Sequence, residues 1–236
     1  MASEEHRTFE FLHDSNALAG ITDIDYRQPG NAQVGQGQFG AHVDAQSKAE
    51  DRTPLSIDDL HRWQRWLIEE QVRFGHTAGA GALPSAPDPR GDVARRVEAW
   101  LAELNAAVAG FPRFANDSDI ADILGAMVQR FAAIHPFVDG NGRIERLVAN
   151  YLATTCQLPI IVFRPSERDA LAAAHRSEMA MRVFMADKMR EALYWTDRTI
   201  KERQEIGPSC DYYEGLTVER HELLRKQREW RALADG

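Results

Sequence analysis

The stretch "HPFVDGNGRIER", residues 135 to 146, joins two segments that both have strong helical periodicity. Before and after it, apolar residues recur at three- and four-residue intervals, which is the spacing of a helix with one buried face. The two apolar sets are Ile120, Ile123, Leu124, Met127, Val128 and Phe131, then Ile144, Leu147, Val148, Tyr151 and Leu152. A polar loop between two core helices is held rigidly, which suits a binding or catalytic site.

The Asp-Gly-Asn-Gly core of this stretch also resembles the middle of an EF-hand calcium loop. Such a loop needs an acidic first ligand and a bidentate Glu at its twelfth place. Aligned on Asp139, those two places are held by Phe137 and Val148, which are hydrocarbon. Calcium binding of the EF-hand type is therefore excluded.

The loop has the composition of a phosphate-binding site. Gly140, Asn141 and Gly142 precede a helix, where unpaired N–H groups and the positive end of the helix dipole attract phosphate oxygens. Arg143 and Arg146 are three residues apart on that helix, so both guanidinium groups can reach the same phosphates.

Asp139 and His135 supply groups for chemistry on a phosphate. A carboxylate beside polyphosphate is the usual protein ligand of Mg²⁺, which takes its other ligands from phosphate and water. His135 can accept the proton of a hydroxyl that attacks phosphorus. These residues favour phosphoryl or nucleotidyl transfer, and Phe137 is predicted to anchor the loop in the core.

Composition limits the other possibilities. The chain has 236 residues, is 44% hydrophobic and carries a net charge of -8, which argues against a nucleic-acid partner. Neither a membrane span nor a signal peptide is visible, so we expect a protein that is cytoplasmic, or exported by a route that its N-terminus does not show. Cys156 and Cys210 are too few for a disulfide framework, and both are expected to be reduced.

Helical periodicity dominates from about residue 55. "TPLSIDDLHRWQRWLIEEQ" has a Thr-Pro start, and "RGDVARRVEAWLAELNAAV" repeats its pattern. Their apolar faces comprise Leu60, Trp63, Leu67 and Ile68, then Val93, Val97, Trp100, Leu101 and Leu104. The Gly-, Ala- and Pro-rich segment between them predicts a loop or a short hairpin. Residues 22–54 show no sustained period and predict an irregular connection.

The ordered residues from His135 to Arg146 resemble the signature of the Fic family, His-Pro-Phe-x-Asp/Glu-Gly-Asn-Gly-Arg-x-x-Arg, at every specified position. The resemblance implies an all-α helical bundle with a small β-hairpin flap near Phe74 to Leu83. It divides the chain into an N-terminal inhibitory-type helix and connection (1–54), a Fic core (55–195) and a C-terminal helical extension (196–236).

The resemblance also implies an activity, the transfer of AMP from ATP to a hydroxyl of a target protein with release of pyrophosphate. It makes His135 the general base and Asp139 the Mg²⁺ ligand. The implied nucleotide-binding residues are Gly140, Asn141 with its side chain, Gly142, Arg143 and Arg146. A homodimer is a further partner that the resemblance and the mixed-charge C-terminus favour.

Two other functions stay open. Doc-like members of this fold carry Lys where this chain has Gly142, and they transfer the γ-phosphate. A pocket that only binds nucleotide would make the protein a scaffold. Gly142 favours AMP transfer, and the presence of His135 and Asp139 argues against a scaffold.

An N-terminal hexapeptide, "SNALAG" at Ser15 to Gly20, resembles the inhibitory motif Ser/Thr-x-x-x-Glu-Gly/Asn, with Ala19 at the Glu position. In relatives that Glu pairs with the second arginine of the signature, here Arg146. Ala19 therefore predicts a free Arg146 and a derepressed enzyme. The same hexapeptide is also typical of an ordinary helix that ends at a glycine.

Overall fold

A computed structural model of the protein describes residues 4–22, 37–76, 92–111 and 116–205. Within these ranges it contains helices and no strand, so the predicted all-α fold is confirmed. The helices are α1 (Glu4–Leu18), α2 (Gly37–Glu50), α3 (Ile57–Arg73), α4 (Asp92–Gly110), α5 (Asp117–Ile134), α6 (Asn141–Thr155), α7 (Arg168–Ala174) and α8 (Glu178–Glu205), with a short 3₁₀ helix at Pro165–Glu167.

Two predictions fall wholly or partly outside the described residues. The predicted flap lies near Phe74 to Leu83, and residues 77–91 are outside the described ranges. Residues 206–236 of the predicted C-terminal extension also lie outside. The helix α8 runs without a break through residues 195 and 196, where the sequence divides core from extension. The three-part division stays a prediction.

The central helix is α6, which is surrounded by α1, α2, α3 and α5. The apolar face predicted for it is confirmed, since Ile144, Leu147, Val148 and Tyr151 are fully buried. The helix α5 contacts both α6 and α8, and its Leu124, Val128 and Phe131 are buried in the core. No helix in the described ranges is long and apolar enough to cross a membrane.

The start of α3 differs from the prediction. The helix begins at Ile57 and not at the Thr-Pro pair, because Ser56 is its N-cap. The Ser56 Oγ accepts a hydrogen bond from the Asp59 N–H (3.3 Å), and the Asp59 carboxylate accepts one from the Ser56 N–H (2.9 Å). This reciprocal capping box satisfies two N–H groups that the helix itself cannot.

The predicted irregular connection over residues 22–54 is wrong for residues 37–50, which form α2. The apolar part of its buried face consists of Ala41, Ala45 and Ala49, and the polar Gln38 and His42 are buried as well. Alanine has high helix propensity but adds little to an apolar period, so the sequence pattern hides this helix. Hydrogen bonds also connect α2 to its neighbours, including one from Trp63 Nε1 on α3 to Asp44 Oδ2 (2.7 Å).

The N-terminal helix α1 is packed onto the rest of the protein. Phe11 and Leu12 have no solvent exposure. Glu10 and Asp14 lie 3.7 and 3.9 Å from the guanidinium of Arg164, just before the 3₁₀ helix. Both apolar burial and charge therefore fix α1 against the core.

Close packing between α5 and α8 depends on Gly125. A Cβ atom at this position would lie 2.5 Å from the Arg182 Cα, far inside van der Waals contact. The backbones of the two helices can approach this closely only because the residue has no side chain.

We expect Gly125→Ala to lower the free energy of unfolding by about 1–3 kcal/mol, because the added methyl group must push α8 away from α5. Gly110→Ala, at the end of α4, is the matched control, since no described atom lies within 4 Å of its Cβ position. Urea unfolding followed by circular dichroism measures both variants. Equal stability of the two would contradict the packing described for α5 and α8.

Candidate active site

The loop between α5 and α6 begins at His135, which ends α5 in a left-handed conformation (φ 51°, ψ 59°). The His135 N–H still donates to the Phe131 carbonyl (3.0 Å), while Pro136 prevents the helix from continuing. A non-glycine residue adopts this conformation only where its surroundings hold it there. The turn leaves the imidazole exposed at the surface.

Phe137 anchors the loop, as predicted, because its ring is 5% exposed and packs edge-on against His61 (5.8 Å between ring centroids). The Asn141 side chain closes the loop around it. Asn141 Oδ1 accepts from the Phe137 N–H (3.0 Å), and Asn141 Nδ2 donates to the Phe137 carbonyl (2.6 Å). In this structure the Asn141 amide therefore shapes the loop, and only its backbone N–H lies at the start of α6.

Gly140 turns the chain into α6 with φ 87°. This positive φ is strained for residues that have a Cβ atom. The first backbone bond of α6 runs from the Ile144 N–H to the Gly140 carbonyl (3.0 Å). The N–H groups of Asn141, Gly142 and Arg143 lie in the first turn, where the helix itself contains no carbonyl that can accept from them. They form the positive end of the helix dipole.

Asp139 is half-buried beside that helix start. Its Oδ1 accepts from the Gly140 N–H (2.6 Å), and its Oδ2 accepts from Gln71 Nε2 (3.4 Å). No group of three or more metal-binding His, Cys, Asp or Glu side chains occurs among the residues that the structure describes. One carboxylate fits Mg²⁺ better than a metal that needs an all-protein cage, because Mg²⁺ readily takes its other ligands from phosphates and water.

Arg143 is 2% exposed and lies against the last turns of α3. It donates through Nη2 to Gln71 Oε1 (2.6 Å) and through Nη1 to the Leu67 carbonyl (3.4 Å). Sequence reasoning missed Gln71. A signal was present, because Gln71 occupies a position of the apolar stripe of α3 four residues after Leu67, and a polar residue there needs a partner.

Arg146 is 4% exposed and is held by α1. It donates from Nε to the Ser15 Oγ (2.9 Å) and from Nη2 to the Ser15 carbonyl (2.7 Å). Burial lowers the pKa of Arg146 to about 10, with Glu145 acting in the opposite direction, and the side chain stays charged near neutral pH. The prediction that Ala19 leaves Arg146 free is wrong, because Ser15 supplies two acceptors of its own.

The rest of the "SNALAG" segment forms the end of α1. Ala19 and Gly20 are exposed, and Gly20 has φ 82°. The Gly20 N–H donates to the Ala17 carbonyl (3.0 Å) and the Ile21 N–H to the Asn16 carbonyl (2.9 Å). These are the two bonds of a Schellman helix end. The segment thus forms a glycine-terminated helix end and also contacts α6 through Ser15.

A buried carboxylate, Glu145, lies between the two arginines in sequence and is 3% exposed. Its Oε1 is 2.7 Å from Nε2 of His175, which follows α7. This hydrogen bond raises the pKa of His175 above its ordinary value. The negative charge of Glu145 also favours the charged form of Arg146, and sequence reasoning gives Glu145 no role.

The chain is similar to known proteins of one family. Residues 54–153 match the model of the Fic/DOC family, while no curated protein matches the chain. One similar structure is a Fic domain containing signaling protein from Bacteroides thetaiotaomicron, 15% identical with a TM-score of 0.57, covering 80% of this chain and 85% of that one. Another is a fragment of Fic-1 from C. elegans, 16% identical with a TM-score of 0.56, covering 81% and 62%.

At these identities the structural similarity establishes the fold, and the family match establishes which segment carries the resemblance. The matched segment contains α3 to α6 and the whole loop between α5 and α6. Residues 54–153 thus match the Fic/DOC family, within a chain that has the fold of Fic domain structures.

Proposed function

We propose that this protein transfers AMP from ATP to a hydroxyl side chain of a target protein. Fic domain proteins are generally transferases that act on proteins. The observation that carries the proposal is the loop between α5 and α6, which joins an exposed His135 and a half-buried Asp139 to the N–H groups that open α6. A homodimer stays a further prediction.

In the proposed reaction His135 accepts the proton of the target hydroxyl while the hydroxyl oxygen bonds to the α-phosphorus. The bond between the α-phosphorus and the bridging oxygen breaks, and pyrophosphate leaves with the electron pair. The N–H groups of Asn141, Gly142 and Arg143 are placed to donate to phosphate oxygens. Mg²⁺ held by Asp139 would neutralise phosphate charge when bound.

The absence of a side chain at Gly142 supports AMP transfer over the Doc-like alternative. A Cβ atom there would lie 3.2 Å from Arg146 Nη1. The larger Lys of Doc-like proteins would therefore enter the space between the helix start and Arg146, where we place the phosphates. Gly142 keeps that space clear. A scaffold would need neither an exposed base nor a carboxylate at the same loop.

We further propose that α1 restrains the enzyme through Ser15, with Ala19 and Gly20 forming the helix end behind it. Arg146 must turn away from Ser15 before it can bind the γ-phosphate. Ser15 offers neutral oxygens, and a charge-assisted bond between Arg146 and a carboxylate would be stronger. The restraint should therefore be weaker than that of a relative with Glu at position 19.

The proposed reaction predicts which label is transferred. With magnesium and a cell lysate, α-labelled ATP should leave its label covalently on protein, and γ-labelled ATP should not. Gel autoradiography of the two reactions, run side by side, measures this. Transfer of the γ-label would instead indicate a kinase of the Doc type, and transfer of neither would indicate a scaffold.

Substitution of the two loop residues separates their roles. We expect His135→Ala to lower the transfer rate about 10²–10⁴-fold, because it removes the general base, and to leave the affinity for ATP nearly unchanged. Asp139→Ala should weaken magnesium-dependent binding as well as the rate. Both variants are compared with the wild-type chain by initial transfer rates and by calorimetric ATP affinity with and without magnesium. A His135→Ala variant with near-normal rate would disprove the assigned mechanism.

The Ser15 contact predicts two opposite effects on self-modification. Ser15→Asp places a carboxylate against Arg146, which strengthens the bond by about 1 kcal/mol or more and should lower the rate at least fivefold. Ser15→Ala removes one acceptor of Arg146 and should raise the rate a few-fold. Incorporation of α-label into the protein itself, at equal concentration and saturating magnesium, measures both.

Ala19→Glu provides a second test of the same contact. Position 19 is one helical turn, about 5 Å, beyond Ser15, so a Glu side chain there can reach Arg146. We expect self-modification to fall about tenfold or more, as for a charge-assisted bond worth about 1.5–3 kcal/mol. Arg190→Ala on α8 is the control for a surface charge change. Unchanged rates in all the Ser15 and Ala19 variants would show that α1 ends there without restraining the site.

A further inference from the structure

Gln71 lies between two residues of the proposed site. It belongs to the last turns of α3 and is 9% exposed. Its Nε2 donates to Asp139 Oδ2 (3.4 Å), and its Oε1 accepts from Arg143 Nη2 (2.6 Å). Arginine can only donate and a carboxylate can only accept, so these two partners fix the orientation of the amide.

This bridge keeps two opposite charges apart while it satisfies both. If Asp139 and Arg143 paired directly, the carboxylate oxygens and the guanidinium N–H groups would be used by each other. A neutral amide between them adds no charge. The Asp139 carboxylate is therefore not neutralised by a direct ion pair with Arg143.

The support behind Gln71 is rigid. Leu67, one turn earlier on α3, is fully buried, and the helix is fixed at its start by the Ser56 and Asp59 capping box. The other Asp139 oxygen accepts from the adjacent Gly140 N–H, within the loop itself. Among the residues that the structure describes, Gln71 joins the Asp139 carboxylate to the helical core outside its loop.

We propose that Gln71 is a positioning residue that sets the Asp139 carboxylate for Mg²⁺ and couples it to Arg143. The proposal rests on the function proposed above, since it takes Asp139 as the metal ligand. Residues that orient a metal ligand typically change metal affinity about 10- to 100-fold when they are substituted. Gln71 should therefore control how much Mg²⁺ strengthens nucleotide binding.

The test compares ATP affinity with and without Mg²⁺, measured by calorimetry on the full chain. Gln71→Met has nearly the same length and removes both hydrogen bonds. It should reduce the gain in affinity on adding Mg²⁺ by about tenfold. Gln71→Asn keeps an amide but is one carbon too short to span both partners, so it should show the same loss and decides the question if Gln71→Met does not fold.

Gln46→Met is the matched control, because Gln46 is half-buried and accepts a hydrogen bond from Thr154 Oγ1 (2.7 Å) at the far end of α6. That end is about 20 Å from the loop. The control should lose some thermal stability and keep the full effect of Mg²⁺. If Gln71 had only a general structural role, Gln71→Met would behave like Gln46→Met: it would lose thermal stability and keep the full effect of Mg²⁺.

The outcomes separate this proposal from the proposed function. An unchanged effect of Mg²⁺ in both Gln71 variants, or a wild-type chain whose ATP affinity does not respond to Mg²⁺, would overturn the positioning role. A wild-type chain that binds Mg²⁺ with ATP but transfers no label would overturn AMP transfer only. In that case the loss of Mg²⁺ response in the Gln71 variants would still support the positioning role.

Discussion

The guanidinium groups of Arg143 and Arg146 are buried at the start of the central helix, where water cannot satisfy them. A buried charge without partners is costly, so the protein must bring acceptors to these two side chains. Two other helices do so. The helix α3 supplies the Gln71 amide and the Leu67 carbonyl to Arg143, and α1 supplies Ser15 to Arg146. The negative charge of Glu145 on α6 also favours the charged form of Arg146.

This demand for partners explains the arrangement around α6. The helix is apolar enough to be surrounded by four others, yet its first two turns carry two cations and one anion. The helices α3 and α1 present hydrogen-bonding groups to these two cations. The result is a helix start whose charges and N–H groups are fixed before any ligand arrives, which is the arrangement that electrostatic catalysis requires.

Much of this fold could be predicted from sequence, because α5 and α6 have strong apolar periods and the loop between them is a dense, ordered motif. The helix α2 could not, since its large buried side chains are polar and its buried apolar residues are alanines. The resemblance of "SNALAG" to an inhibitory motif points to Arg146, but it does not identify Ser15 as the acceptor. That contact spans 131 residues, and no local pattern reports a pairing of that range. The resemblance implies that the Asn141 side chain binds phosphate, whereas in the structure it bonds the Phe137 backbone and closes the loop. An amide suits either role, and the sequence does not distinguish them.

The docking of α1 has a consequence for the order in which the protein is assembled. The last turn of α1 is synthesised before its partners Arg146 and Arg168, which follow Ser15 by 131 residues and Ala17 by 151 residues. Such distant contacts form only after the intervening chain is available. We therefore expect α6 to begin packing while α1 is still undocked. The hydrogen bonds between Ser15 and Arg146 then form late in folding.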